Sequence, residues 1–262
     1  MLIDVADISK AYAQGDKGES TPAVEGLSFA VAEGEFVCII GPSGCGKSTL
    51  LNMLAGFIAP DRGTICFDGH RINCPDPQRA VVFQDAILFP WMNLRRNLEL
   101  GLKAAGATKS QLHHIVNDSL ALVDLKCSQK AYPHQLSGGM KQRAALARVL
   151  ALQPRLLLMD EPFSALDAET REHLQDQLLK ICAQRRQTVV FVTHSVEEAA
   201  YLADRVIIMG HPPNRCYATL RIQRELARSR TDKQQRANIL RLRAALRDFC
   251  RQVPDGANAP QV

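Results

Sequence analysis

The chain has 262 residues, 46% hydrophobic and 23% charged, the balance of a soluble globular protein able to bury a sizeable core. Its longest apolar runs, Phe36–Ile40 and Leu156–Met159, suit buried strands and fall far short of the ~18 residues that span a bilayer; Asp4 and Asp7 stand where a secretory leader carries basic residues. The net charge of +5 does not mark a nucleic-acid binder, because Arg221–Arg251 holds ten Lys/Arg against three Asp/Glu and leaves the remainder near −2.

In chain order, hydrophobic periodicity predicts strands over 2–8, 27–31 and 36–40, then a glycine-rich loop opening a helix over 47–55. Strands over 64–67 and 80–83 follow, the second running into Gln84. Three helical patterns at 93–105, 110–123 and 138–152 come with no strand between them, which reads as a helical lobe inserted at about 90–150. A strand over 156–159 meets Asp160 and Glu161, a helix covers 168–185, and a strand over 188–192 precedes His194. A helix over 196–203, a strand over 205–209 and a basic helix over 232–251 complete the pattern, with 253–262 a frayed terminus. Continuous Val/Ile/Leu/Phe strands alternating with helices point to an α/β core with a mainly parallel sheet. The eight cysteines read as reduced small hydrophobes: Cys38 and Cys66 lie in strands, and no CxxC pair occurs.

Three elements carry chemistry. Gly41-Pro42-Ser43-Gly44-Cys45-Gly46-Lys47-Ser48 fits G-x-x-x-x-G-K-[ST] between a strand and a helix. Glycines let the backbone wrap a phosphate so that successive N–H groups point inward, and the following helix adds its positive end. Lys47 can then reach β- and γ-phosphates, and the Ser48 hydroxyl can ligate Mg²⁺. A strand ending in Asp160-Glu161 supplies a carboxylate for the Mg²⁺ shell and a second one to polarise water. Cys45, among inward N–H groups beside Lys47, is expected to favour the thiolate, so that its alkylation blocks nucleotide binding.

The third element is Leu136-Ser137-Gly138-Gly139-Met140, followed by Lys141-Gln142-Arg143. With it the chain resembles the nucleotide-binding subunit of an ABC transporter, over about residues 2–215. The resemblance implies a P-loop NTPase core with a small antiparallel β-subdomain and an inserted helical subdomain. Residues 1–89 and 151–216 would form the two parts of the core, 90–150 the helical signature subdomain and 217–262 a basic extension. ATP with Mg²⁺ would be held by the loop from Gly41 to Thr49, with Tyr12 stacking on adenine and Ser48, Gln84 and Asp160 around the metal. Glu161 would polarise the attacking water, Gln84 sense it, and His194 contact the γ-phosphate. Ser137 and Gly139 would cap the ATP of a second copy, and Ser164-Ala165-Leu166-Asp167 would link the two sites. Met140 replaces the commoner glutamine of the signature, and Ser195 the aspartate common after the histidine.

Implied partners are a second cassette, integral-membrane permease subunits and a solute-binding protein, with no nucleic acid, on the cytoplasmic face of the membrane. Phe83–Trp91, Gly56-Phe57 and Glu161–Asp167 are similar to the nitrate/sulfonate/taurine importer group, whereas His211–Arg215 matches that group's Pro-Gly-Arg segment only in part. Trp91 either meets the permease or packs inside the helical lobe. The alternatives are an exporter cassette and a non-transport ABC ATPase acting on nucleic acid, although the chain has neither a heptad insertion nor a second cassette. A P-loop kinase is opposed by Leu136–Met140. In the basic segment, Ile239, Leu242, Leu246 and Phe249 mark an amphipathic helix that packs on the core or meets anionic lipid.

Overall fold

The computed structural model describes residues 1–14, 19–210, 216–222 and 233–252. Its centre is a six-stranded sheet in the order β10-β9-β3-β8-β7-β6. These strands are β3 (Phe36–Ile40), β6 (Arg79–Val82), β7 (Leu156–Asp160), β8 (Thr188–Val192), β9 (Arg205–Met209) and β10 (Cys216–Arg221). All neighbours are parallel except β9 and β10. Val82, Met159, Phe191, Cys38 and Val206 lie abreast across five strands, and all five are buried.

Alternation along the strands sends side chains into two separate cores. Cys38, Leu157, Met159, Phe191 and Val206 join a core shared with the helical lobe and the C-terminal helices. Ile39, Leu156, Leu158, Val190 and Ile207 join another, shared with α1 (Lys47–Ala55) and the second sheet. Both faces being covered explains why these strands read as unbroken apolar runs. Phe191 anchors the first core, with Phe36 and Phe163 ring centroids 5.9 and 5.7 Å away.

The second sheet is antiparallel, in the order β2-β1-β4-β5. It contains β1 (Ile3–Gln14), β2 (Glu19–Val31), β4 (Arg62–Phe67) and the short β5 (His70–Arg71). β1 and β2 run well beyond the predicted 2–8 and 27–31 because register shifts after Val5, Ile8 and Lys10 interrupt the period-two pattern. Asp7 at φ 48° and Gly26 at φ 56° take up the distortion.

The helical lobe comprises α2 (Leu94–Ala104), α3 (Lys109–Leu122) and α4 (Gly138–Ala151), between β6 and β7 in the chain. Their starts are capped by Asn93, by a Thr108–Gln111 capping box and by Ser137, each satisfying a backbone N–H that would otherwise lack a partner. After β7 come α5 (Ala168–Arg185) and α6 (Val196–Leu202).

Strand β10 was not foreseen: its short stretch lies where the basic segment begins, and only pairing with β9 defines it. The last helix, α7 (Lys233–Gln252), packs on the core with Leu242 fully buried and Ile239 and Leu246 against the same cluster. This realises the packed form of the amphipathic reading, although Leu240 stays 62% exposed. The side chain of Phe249, the segment His211–Arg215 and residues 253–262 lie outside the described residues.

Candidate active site

Four adjacent parallel strands leave the sheet at one edge, and each delivers a predicted residue there. β3 runs into Gly41 and the phosphate loop, β6 into Gln84, β7 into Asp160 and Glu161, and β8 into His194. A ligand crevice beyond the carboxyl ends of the strands is what an open α/β sheet offers. Here it is a cleft of about 530 Å³ lined by Tyr12, Ser43, Gly44, Gly46, Lys47, Ser48, Thr49, Gln84, Asp160, Glu161 and His194.

The loop can take this shape only with glycine at its tight point. Gly46 has φ 91°, and a Cβ there would lie 2.1 Å from the carbonyl oxygen of Ala23 in β2. Ala23, which no sequence motif marked, thus forms a wall of the cleft. Lys47 is buried, its ammonium donating to the carbonyls of Gly41 and Pro42 at 2.9 and 2.7 Å. Phosphate oxygens would compete with these carbonyls for the same three N–H donors.

Cys45 corrects an expectation. It is buried with its Sγ 3.8 Å from Lys47 Nζ, and burial pushes the thiol above its ordinary value despite the lysine. Desolvation disfavours the thiolate more than the nearby cation favours it, so this is a packing cysteine and not an activated one. Cys38, Cys45, Cys66, Cys74, Cys127 and Cys182 take part in no disulfide among the described residues.

Asp160 is half-buried, and burial pushes its carboxyl up, with Glu161 adding to the effect. A hydrogen bond with Ser48 and the charge of Lys47 only partly oppose this. Glu161 adopts φ 44°, a left-handed backbone rare for a non-glycine residue and typical of sites where geometry is imposed by surroundings. Its N–H donates to Val192 O at 3.0 Å, which locks the end of β7 to β8. Its Oε2 lies 3.1 Å from His194 Nδ1, so the carboxylate and imidazole meet across the cleft mouth.

Leu136, Ser137, Gly138, Gly139 and Met140 are not among the residues lining this cleft, nor is Asp167. Ser137 caps α4, its Oγ accepting from Met140 N at 3.3 Å, and Gly138 has open space around it. Asp167 caps α5 in the same way, accepting from Thr170 N at 2.9 Å. Gln142, given no role of its own by the sequence, links the lobe to the cleft: buried, it donates to the backbone carbonyl of Gln84 at 3.2 Å.

The description "ABC transporter" matches residues 24–164. The chain belongs to the ABC transporter family. It is 49% identical over 193 residues to the nitrate import ATP-binding protein of Synechococcus elongatus, covering 73% of this chain and 70% of the relative. It is 46% identical over 204 residues to the taurine import ATP-binding protein of Chromobacterium violaceum, covering 78% of each. A solved ATP-binding cassette, dimeric in a post-hydrolysis state with ADP and Pi, superposes with a TM-score of 0.76 at 29% identity over 85% of this chain and 100% of that one. The chain is accordingly an ATP-binding cassette of the transport ATPases, an ATP hydrolase.

The raised carboxyl of Asp160 has a signed consequence. Its folded-state pKa exceeds the unfolded one, so stability falls as pH rises through the folded value and the group ionises. In protein without metal or nucleotide, Asp160→Asn should be more stable than wild type at neutral pH, the gap closing as pH falls below the carboxylate range. Urea unfolding at a series of pH values checks this; a variant less stable at neutral pH contradicts it.

Proposed function

We propose that two copies of this chain form the ATP-driven motor of a membrane importer for a small anion of the nitrate, sulfonate or taurine kind. The observation that carries the ATPase part is the convergence of phosphate loop, Gln84, Asp160, Glu161 and His194 on one cleft while Ser137 and Gly139 lie outside it. A signature lying outside its own cleft suits the cleft of another copy, so each ATP would be held between the loop of one copy and Ser137 of its partner. The exposed start of α4 offers backbone N–H groups and a positive helix end to the γ-phosphate from the second side.

Within each cleft the residues divide the work. The loop from Gly41 to Thr49, Pro42, Ser43 and Cys45 included, orients the phosphates, and Tyr12, 46% exposed at the cleft wall, stacks on the adenine. Glu161 orients and polarises the attacking water, and His194, held at the same carboxylate, and Lys47 stabilise charge on the γ-phosphoryl group. The oxygen donors of Ser48, Gln84 and Asp160, the half-buried Asp160 carboxyl being only partly compensated by Lys47, suit a hard ion, and Mg²⁺ held there would neutralise phosphate charge. Asp167, at the exposed start of α5, links the two copies.

The permease reading is supported by a second surface. An apolar groove of about 500 Å³ runs between core and helical lobe, walled by Phe57, Phe83, Phe89, Leu100 and Leu152. Trp91 stands beside it, 68% exposed and tilted 5.6 Å from Phe89, which fits the contact reading of this residue and not packing inside the lobe. Exposed aromatics around an apolar groove suit a helix of a membrane partner. The solute-selecting residues belong to the permease and to a solute-binding protein; the substrate class comes from the named relatives.

Two experiments test this. Glu161→Gln should bind ATP as wild type does while turnover falls by about 100-fold or more; retained turnover would remove Glu161 from its role. A tagged chain recovered from solubilised membranes should bring a multi-span permease with a solute-binding protein. Recovery of soluble or nucleic-acid-binding proteins alone would contradict the transport reading.

A further inference from the structure

We propose that the C-terminal helix α7 holds the loop that carries His194, with Glu197 and Arg243 as positioning residues for hydrolysis; this rests on the role given to His194 above. The histidine stands between two hydroxyl residues, and each is tied to one of two consecutive glutamates in the first turn of α6. Thr193, buried, donates from Oγ1 to Glu198 Oε2 at 2.5 Å, and Glu198 Oε1 accepts from Gln175 of α5 at 3.0 Å. Ser195 donates from Oγ to Glu197 Oε2 at 3.2 Å, and Glu197 Oε1 accepts from Arg243 Nη2 of α7 at 2.5 Å. The two branches join where Ser195 N donates to Thr193 Oγ1 at 3.0 Å.

The His194 side chain is 70% exposed and meets Glu161 at 3.1 Å, so packing does not aim the ring. Its direction is inherited from the backbone on either side. One side is fixed through α5, the helix that starts at Asp167, and the other through α7. Arg243 is well placed to hold its end, because its neighbour Leu242 is fully buried and Ile239, Ala245 and Leu246 pack on the core that contains Ala199 to Leu202 of α6. The Gln235 amide, oriented to satisfy both groups, donates to Ala200 O at 3.1 Å and accepts from Tyr201 N at 3.2 Å. A helix seated this way presents the guanidinium at the surface, 57% exposed against 55% for Glu197, and the ion pair links the position of α7 to the loop.

Ser195 is central to this arrangement. Its Oγ accepts from Glu198 N at 3.2 Å as the cap of α6 and donates to Glu197 at the same time. An aspartate at this position could still accept from Glu198 N but could not donate to Glu197, and would repel it. The serine therefore couples the histidine loop to α7 through its hydroxyl donor.

The test compares wild type with Arg243→Lys, Arg243→Ala and Arg243→Glu in the purified full-length chain, following kcat, KM and affinity for ATP, and the melting temperature. The expected order of kcat is wild type close to Arg243→Lys, then Arg243→Ala lower by about 3-fold, then Arg243→Glu lower again through repulsion of Glu197. KM and ATP affinity should stay unchanged across the series, and added salt should lower wild-type kcat toward that of Arg243→Ala. A purely structural ion pair would lower the melting temperature and leave kcat equal in all four, and that result would overturn the proposal, as would a parallel loss of kcat and ATP affinity. His194→Ala in the same assay separates the two levels: if it keeps wild-type turnover, the reading of the site has failed; if it loses turnover while the Arg243 series stays flat, only the link to α7 has.

Discussion

Parallel strands buried on both faces can leave the core only at their ends, and that constraint organises everything chemical in this protein. Between its ends each of β6, β7, β8 and β3 carries apolar side chains alone, so polar groups reach the cleft only where a strand stops. Asp160 is the first residue at which β7 escapes full burial, and it already carries the desolvation that raises its carboxyl. One step further Glu161 must turn out of the sheet, and it does so in a left-handed conformation pinned by Val192. The register of four strands thus sets the spacing of phosphate loop, carboxylates, glutamine and histidine without help from any flexible element.

The same constraint leaves the cleft open on one side. Among the described residues none of the helical lobe lines it, and Gln142 of the lobe reaches it through the carbonyl of Gln84. That contact is suited to signalling, since Gln84 faces the cleft while the residues after it lead to Phe89 and Trp91 beside the apolar groove. A membrane partner seated in the groove and a nucleotide in the cleft would be read by the same short segment. In the proposed assembly closure from the open side comes from another copy, and the capped, exposed start of α4 has the chemistry to supply it.

Much of this was legible in the chain itself, for identifiable reasons. Strand runs such as Phe36–Ile40 and the stretch 189–192 are apolar throughout because both faces are covered, and a fully buried strand announces its own ends. Gly41–Ser48 and Asp160-Glu161 were readable because phosphate chemistry restricts which residues can serve. What escaped was whatever depends on partners distant in sequence. Strand β10 exists because β9 offers an edge, β1 and β2 continue through bulges that erase their alternation, and Ala23 matters only because Gly46 lies against it. Cys45 was misjudged for a related reason: the loop's positive character shows in sequence, but burial of the thiol does not. The glutamates flanking the histidine loop looked like ordinary first-turn acids of a helix until α5 and α7 were seen to hold them.

The central claim is that each cleft is completed by the signature of a second copy, and mixing two inactive variants tests it most directly. Lys47→Ala spoils the phosphate loop and Ser137→Ala the signature, each in every cleft of its own homodimer. If the signature acts across the dimer, a mixed pair contains one cleft built from an intact loop and an intact Ser137, and ATP hydrolysis should reappear well above that of either variant alone. If it acts within its own chain, no intact cleft can form, and activity that stays at the sum of the two separate variants would contradict the composite site.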